Sequence, residues 1–328
     1  MTVEPVRTIF LGSGGFGRQA LRALAATPSV ELVGVVTAPP RPAGRSRQPT
    51  PTVIETTARE LGIAPVLTPE RLRAPDAVEA VLALRPGLLV LADYGQIVPV
   101  ALLDVQHGAL NLHPSLLPRH RGATPIPAAI AAGDPVTGVS LMRMDAGLDT
   151  GPIVAQARVD LDGTETAPDL EERLAELGAW LLAGELDAWL AGATPARPQD
   201  AAGATLTRPL RREDGRLDPT RPAAELARQV RALQPWPGTF IETDEGRLAI
   251  HRAEPEAVAP GEPGEPSHTA GTASVGRLDE LGLVTAEGRL RLLEVQPAGG
   301  RRMPWAAYVR GRPGILGRTI GSPPSGVR

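Results

Sequence analysis

The chain has no cysteine, which excludes disulfides, thiolate nucleophiles and cysteine-ligated zinc. It also has no lysine: all 34 basic residues are arginine. No lysine can form a Schiff base or anchor a phosphate, so contacts to anions fall to arginine and to backbone N–H groups. The five histidines, His107, His113, His120, His251 and His268, never fall in an HExxH spacing, and no metal is expected. No apolar run approaches the ~20 residues of a membrane span. The start, Met1-Thr2-Val3-Glu4, lacks a basic lead-in to an apolar stretch; neither a signal peptide nor a membrane partner is expected, and a cytoplasmic setting is. No GxSxG, P-loop or glycosidase carboxylate pair is present to suggest those chemistries.

What the chain does have is length and an uneven charge. Its 328 residues are enough for two domains, each with its own core. The net charge of −3 conceals an asymmetry. Residues 1–207 hold 16 Arg against 22 Asp and Glu, a balance of −6, while residues 208–328 hold 18 against 15, or +3. The stretch 289–328 has 8 Arg and one acid, Glu294. Such a tail either meets a polyanion or is a solvated arginine-rich surface.

Val6 to Leu11 is an apolar run that meets Gly12-Ser13-Gly14-Gly15-Phe16-Gly17, a GxGxxG pattern leading into a helix to about Ala26. Val30 to Thr37 follows as a second strand, so the chain opens as a βαβ unit. A dinucleotide site would want an acid after that strand to hold a ribose hydroxyl. Thr37-Ala38-Pro39-Pro40 stands there instead, so the glycines are expected to serve as a tight turn and as N–H donors at a helix start. Pro39 to Pro51 holds Arg41, Arg45 and Arg47 with no acid and reads as an irregular basic arm, because proline and glycine disfavour regular structure. Helices are expected over 52–61, 75–84 and 124–132, and strands near Val66 and over 88–92, 109–113, 138–144 and 151–161. A long amphipathic helix spans 168–190, with Leu170, Leu174, Leu177, Trp180, Leu181, Leu186, Trp189 and Leu190 at helical spacing. Residues 193–206 read as a linker between domains at 1–192 and 207–328. Beyond it, a helix over 223–233 and short strands at 239–243, 248–252, 284–286 and 290–295 point to a small β-barrel. The Pro/Gly/Glu-rich stretch 254–272 reads as an unstructured insertion.

Two stretches follow strands, where ligand loops of open α/β sheets lie. One is Tyr94-Gly95-Gln96-Ile97; the other is Asn111-Leu112-His113-Pro114-Ser115-Leu116-Leu117-Pro118. Asn111 and His113, two residues apart on a strand, share a face. Asp149, in Gly147-Leu148-Asp149-Thr150-Gly151, could join them or could simply cap its own turn. An amide, an imidazole and a carboxylate in one cleft suit an acyl-type transfer.

These motifs resemble those of the methionyl-tRNA formyltransferase family. The resemblance rests on Asn111–Pro118, on Arg121-Gly122-Ala123, and on Met144-Asp145 with Gly147–Gly151. Arg41-Pro42-Ala43-Gly44-Arg45, Tyr94-Gly95, Gln234-Pro235-Trp236-Pro237 and Gln296–Met303 add to it. It implies a doubly wound, mostly parallel α/β formyltransferase domain with an OB-like barrel behind it. It implies formyl transfer from 10-formyltetrahydrofolate to the amino group of methionyl initiator tRNA, by a monomer and without a metal. Under it, Asn111, His113 and Asp149 become catalytic. Ser115, Leu116, Leu117 and Pro118, with Tyr94, Gly95, Gln96 and Ile97, line the folate site. Arg41, Arg45 and Arg47, with Arg301 and Arg302 in the tail, meet the tRNA. The glycine loop departs from the family's usual Gly-Thr-x-x-Phe-Ala, and Pro40 stands where an acid is common. A sugar-nucleotide N-formyltransferase would share the trio but does not need the basic arm. A purine-pathway formyltransferase would end near the first domain, and a formyltetrahydrofolate hydrolase would need no basic tail. A tRNA-binding module with an idle site would not need the trio intact.

Overall fold

The structure, a computed structural model, describes residues 4–43, 48–256 and 275–321. Its chain divides into two compact units. The first comprises Met1–Ile126, Pro135–Leu161 and Asp169–Arg208, and the second Pro127–Asp134, Asp162–Pro168 and Pro209–Arg328.

The first unit is built on a seven-stranded sheet. In chain order its elements are β1 (Val6–Leu11), α1 (Gly17–Ala25), β2 (Val30–Val36), β3 (Arg41–Ala43), β4 (Gln48–Thr50), α2 (Val53–Glu60), β5 (Val66–Leu67), α3 (Pro75–Ala83), β6 (Leu88–Ala92), α4 (Val100–Leu103), β7 (Ala109–His113), β8 (Arg121–Gly122), β9 (Val136–Arg143), β10 (Ile153–Asp160), α6 (Ala167–Leu190) and β11 (Leu206–Thr207), while α5 (Pro125–Ala132), which follows β8 in the chain, belongs for the most part to the second unit. The sheet order is β10-β9-β7-β6-β1-β2-β5. The ladders β7·β6, β6·β1, β1·β2 and β2·β5 are parallel, and β9 and β10 are antiparallel. The parallel strands read as continuous apolar runs because helices cover both faces; all five residues of β6, Leu-Leu-Val-Leu-Ala, are buried. Each fully buried leucine here contributes about 1.5–3 kcal/mol of burial free energy.

Local chemistry sets the helix starts. Thr52 caps α2 by accepting the Glu55 N–H, and Pro75 opens α3 where its missing N–H costs nothing. In α6, Leu170, Leu174, Leu181, Leu182 and Leu186 are buried. Trp180, expected in that stripe, is exposed instead: a bulky residue at its edge keeps the solvent side. The basic arm also differs from expectation, because Arg41–Ala43 pairs antiparallel with Gln48–Thr50. Pro42 lies opposite Pro49, a pairing in which neither nitrogen needs to donate. Arg45 and Arg47 lie outside the described residues.

Residues 193–206, expected as a linker, are laid onto the first unit. Arg197 and Ile153 exchange both backbone hydrogen bonds, at 2.7 and 2.8 Å, and Leu206–Thr207 pairs in parallel with Arg121–Gly122. Polar side chains at Gln199 and Thr205 anchor this run, which its Ala, Gly and Pro content conceals.

The second unit has α7 (Ala223–Ala232), β12 (Thr239–Thr243), β13 (Gly246–Glu256), β14 (Gly282–Val284), β15 (Arg289–Pro297), β16 (Met303–Pro304) and α8 (Trp305–Gly311). Its antiparallel sheet runs β12-β13-β15-β14, with β16 on β15. This is an open path among the described residues, so the expected barrel closure is not seen. The core joins Leu226 and Val230 of α7 to Ile241, Leu248, Ile250, Leu290 and Val295 of the sheet, and to Trp305 and Tyr308 of α8. Of the insertion read at 254–272, residues 257–272 lie outside the described residues.

Candidate active site

The parallel strands run β5-β2-β1 to one side and β6-β7 to the other, so the order reverses between β1 and β6. Ligand crevices of open α/β sheets form at the carboxyl ends beside such a reversal. The loops after β1, β6 and β7 emerge there side by side, and they carry most of the residues singled out from the sequence.

His113 ends β7. Its partner across the β7·β9 ladder is Ser140, and that of Asn111 is Met142. Asn111 is half-buried and His113 buried. The His113 Nε2 lies 2.9 Å from the His120 carbonyl oxygen. A carbonyl only accepts, so Nε2 carries the proton and the neutral ring keeps its lone pair on Nδ1. That nitrogen lies 3.7 Å from Asp149 Oδ2, with the two side chains only 6% and 15% exposed. Burial holds the imidazole below its ordinary value of 6.5, while the Asp149 carboxylate and the His120 carbonyl pull the other way.

Asp149 Oδ2 also accepts the Gly122 N–H at 2.7 Å. The turn-capping duty that was the alternative for Asp149 is performed by Asp145, whose Oδ1 accepts from Gly147 N at 2.9 Å and Thr150 Oγ1 at 2.7 Å. Asp149 is thereby left to face the histidine. It does so from a left-handed conformation, φ 51°, which a non-glycine residue adopts only when its surroundings hold it there.

The expected folate residues divide into two groups. Ser115 is fully buried and its hydroxyl donates to the Arg119 carbonyl at 2.7 Å. Leu117 packs with Met142 and Ile153; its N–H donates to Ser140 Oγ at 3.0 Å, and Ser140 Oγ donates in turn to the Ser115 carbonyl at 2.7 Å. Leu116 and Pro118 are half-buried. The 115–118 side chains thus mostly brace the loop. Gln96 is also committed, accepting from Leu72 N at 2.7 Å and donating to the Pro69 carbonyl at 3.0 Å. Tyr94, Gly95 and Ile97 are not so bound. Gly95 has open space where a side chain would project, Ile97 is 75% exposed, and Tyr94 has a buried hydroxyl with no partner among the described residues. Burial pushes that phenol up to about 12.

The glycine loop turns over the end of β6. A side chain at Gly12 would come within 2.6 Å of the Ala92 carbonyl, so the turn admits only hydrogen there. The start of α1, where a pyrophosphate would sit in a dinucleotide fold, faces acids of the chain itself. A Cβ on Gly14 would strike the Asp93 carboxylate, one on Gly15 would lie 2.7 Å from Glu171 Oε1, and Glu171 accepts the Phe16 N–H. Burial raises both carboxyls, and Asp93 raises Glu171 further. A dinucleotide site is disfavoured by these acids as well as by the missing ribose acid.

Among the tRNA candidates, Arg41 is exposed and 3.2 Å from Glu70 Oε2. Arg301 and Arg302 are exposed in the turn between β15 and β16, with Arg302 3.9 Å from Glu294. Sequence reasoning missed four residues that support the trio: His120, Arg121, Gln199 and Thr205. His120 stands beside the recognised Arg121-Gly122-Ala123 motif, Arg121 opens that motif but was given no role of its own, and the other two lie in the run taken for a linker.

Two family models set the class. Residues 6–186 match the formyl transferase model and residues 209–313 the formyl transferase C-terminal domain. The methionyl-tRNA formyltransferase of Chloroflexus aggregans is 45% identical over 93% of this chain and 97% of its own length. That of Halorhodospira halophila is 42% identical over 96% and 99%. A solved N-formyltransferase from Helicobacter canadensis, in complex with folinic acid and dTDP-3-aminofucose, shares the fold at a TM-score of 0.59 and 14% identity, over 88% of this chain and 99% of that one. A sugar N-formyltransferase from a Shewanella species does so at 0.60 and 18%, over 77% and 99%. The chain belongs to the methionyl-tRNA formyltransferase family.

Proposed function

We propose that this chain moves the formyl group of 10-formyltetrahydrofolate to the free amino group of methionyl initiator tRNA, for translation initiation. The observation that carries the chemistry is the setting of His113. Its Nε2–H is fixed on the His120 carbonyl, and its free Nδ1 faces Asp149. The folate supplies an activated formyl carbon and leaves as tetrahydrofolate with a proton on N10. The amine attacks as the neutral base; its nitrogen–carbon bond forms as the carbon–N10 bond breaks. Asn111 donates to the formyl oxygen as that atom gathers negative charge. His113 takes the amine proton at Nδ1 and returns it toward the leaving nitrogen. Asp149 stabilises the imidazolium while it exists. Burial keeps the ring neutral at pH 7, ready to accept.

Tyr94, Gly95 and Ile97 form the accessible part of the folate wall, backed by Gln96 and Ser115–Pro118. Arg41, Arg45 and Arg47 meet the acceptor stem, and Arg301 and Arg302 meet phosphates elsewhere on the tRNA, positioning it without reading bases. The catalytic part is residues 1–192 with the 193–206 run laid onto it, and the tRNA-binding part is 207–328. The working unit is a cytoplasmic monomer. Among the described residues no helix is long and apolar enough to cross a membrane.

The test offers 10-formyltetrahydrofolate with methionyl initiator tRNA, methionyl elongator tRNA and a UDP-amino sugar as competing acceptors. Formylation of the initiator is the expected result. Formylation of the sugar alone would transfer the site to the sugar-nucleotide N-formyltransferases.

A further inference from the structure

Asp149 is the member of the trio that does not sit on a strand, so something else must hold it. Its carboxylate is tied to Gly122, and its backbone is tied to Gln199. The Gln199 Nε2 donates to the Asp149 carbonyl at 2.8 Å and to the Gly151 carbonyl at 2.7 Å. Its Oε1 accepts from Arg121 Nε at 3.1 Å and Nη2 at 2.7 Å. The amide can stand only this way round. Flipped, it would set its oxygen against two carbonyls and its NH2 against a guanidinium.

The same segment holds the other side of the site. His120 donates its N–H to Thr205 Oγ1 at 2.8 Å and offers its carbonyl to His113. Thr207 Oγ1 donates to the Arg121 carbonyl at 3.0 Å and accepts from Thr124 N at 3.0 Å. His120 and Asp149 both have positive φ, 55° and 51°, so neither backbone rests where it would stand unaided. Two strained residues, one on each side of the imidazole, are pinned by one run of chain.

We propose that Gln199 is a positioning residue for catalysis: its amide fixes the Asp149 loop and thereby the approach of the Asp149 carboxylate to His113. The 197–207 segment is then part of the catalytic apparatus. For its activity arm this rests on the reading of Asn111, His113 and Asp149 as the reacting groups.

The test uses the full chain with Gln199→Met, which keeps side-chain length and loses every hydrogen bond, and Gln199→Leu as a second variant. The His113 ring is titrated by NMR without substrate. Then kcat and both KM values for methionyl initiator tRNA formylation are measured, with melting as a control. Losing the hold on Asp149 lets its charge drift from the ring, so the His113 titration moves down from its wild-type position. The turnover kcat falls by roughly tenfold to a hundredfold, with both KM values held within about twofold. An unmoved His113 titration in a folded variant overturns the proposal, as does a kcat that falls only with the folded fraction. Unfolding of both variants makes Gln199 a structural residue and overturns it too. If the wild type transfers no formyl group, the function reading has failed, and the His113 titration alone decides the positioning claim.

Discussion

Replacing Asp149 by Asn isolates the charge at the centre of the site. The amide oxygen can still accept from Gly122 N, as the carboxylate does at 2.7 Å, so the loop keeps its tie while the negative charge goes. At the observed 3.7 Å between Asp149 Oδ2 and His113 Nδ1, a unit charge pair is worth about 4 kcal/mol at an effective dielectric of 20. Asp149 is 15% exposed, and solvent screening leaves about half of that at the lower bound. A loss of about 2 to 4 kcal/mol from the imidazolium-bearing transition state is a fall of roughly 30- to 1,000-fold in kcat/KM. The assay is formylation of methionyl initiator tRNA from pH 5 to 9, with tRNA binding measured in parallel. The acid limb adds a sign. The neutral ring is the active form, so activity is lost as pH falls through the folded His113 pKa. Asp149 raises that pKa, and removing its charge moves the limb to lower pH even as the plateau drops. A limb that moves up, or tRNA binding that falls as far as the rate does, would refute the reasoning.

Three further outcomes are expected. Tyr94→Phe removes a buried hydroxyl that has no partner among the described residues, so its melting temperature holds or rises while the folate KM rises several-fold; a lower melting temperature would show that the hydroxyl supports the fold. Asp93 is solvent-exposed as a residue, but its carboxyl is desolvated against the glycine loop and raised, so its charge has a small, solvent-screened cost in stability above its folded pKa and none below the ordinary 3.8. Asp93→Asn, which suits the φ of 55°, therefore melts higher than wild type at pH 7, with the gap closing as pH is lowered toward 3.8; a gap that widens on acidification contradicts the assignment. Arg45→Ala weakens tRNA binding and makes its logarithmic salt dependence shallower by about one, and an unchanged slope removes the arm from the interface.

The longer strands of the first sheet and the helices α1, α2, α3, α6 and α7 were readable because each announces itself in pattern, whereas α8 and the short α4, β8, β11 and β16 were not expected. The parallel strands are apolar runs, and α6 carries its leucines at helical spacing. Asn111 and His113 were readable because a strand fixes their shared face. The arm was misjudged because its prolines were weighed one at a time, whereas Pro42 and Pro49 lie opposite each other and ask no donor of either. The 193–206 run was misjudged because its composition hides two anchors. Gln199 and Thr205 make contacts 48 to 85 residues away along the chain, and nothing local marks them. Trp180 was misplaced because spacing says which residues share a stripe, not which of them is covered.

The hydrogen bond from His113 Nε2 to the His120 carbonyl has one more consequence. An imidazole with both nitrogens free can act as a relay, loading a proton on one side and discharging it on the other. Here one side is closed, because that nitrogen already holds a hydrogen and points it at a backbone oxygen. The ring is a terminus with a single door. In the proposed mechanism a proton that enters at Nδ1 must leave by Nδ1, toward whatever basic atom then stands in the cleft, and the folate nitrogen that has just given up its carbon is the one created at that moment. In the proposed mechanism the return of the proton is thereby tied to the departure of the donor, with no conduit through the ring.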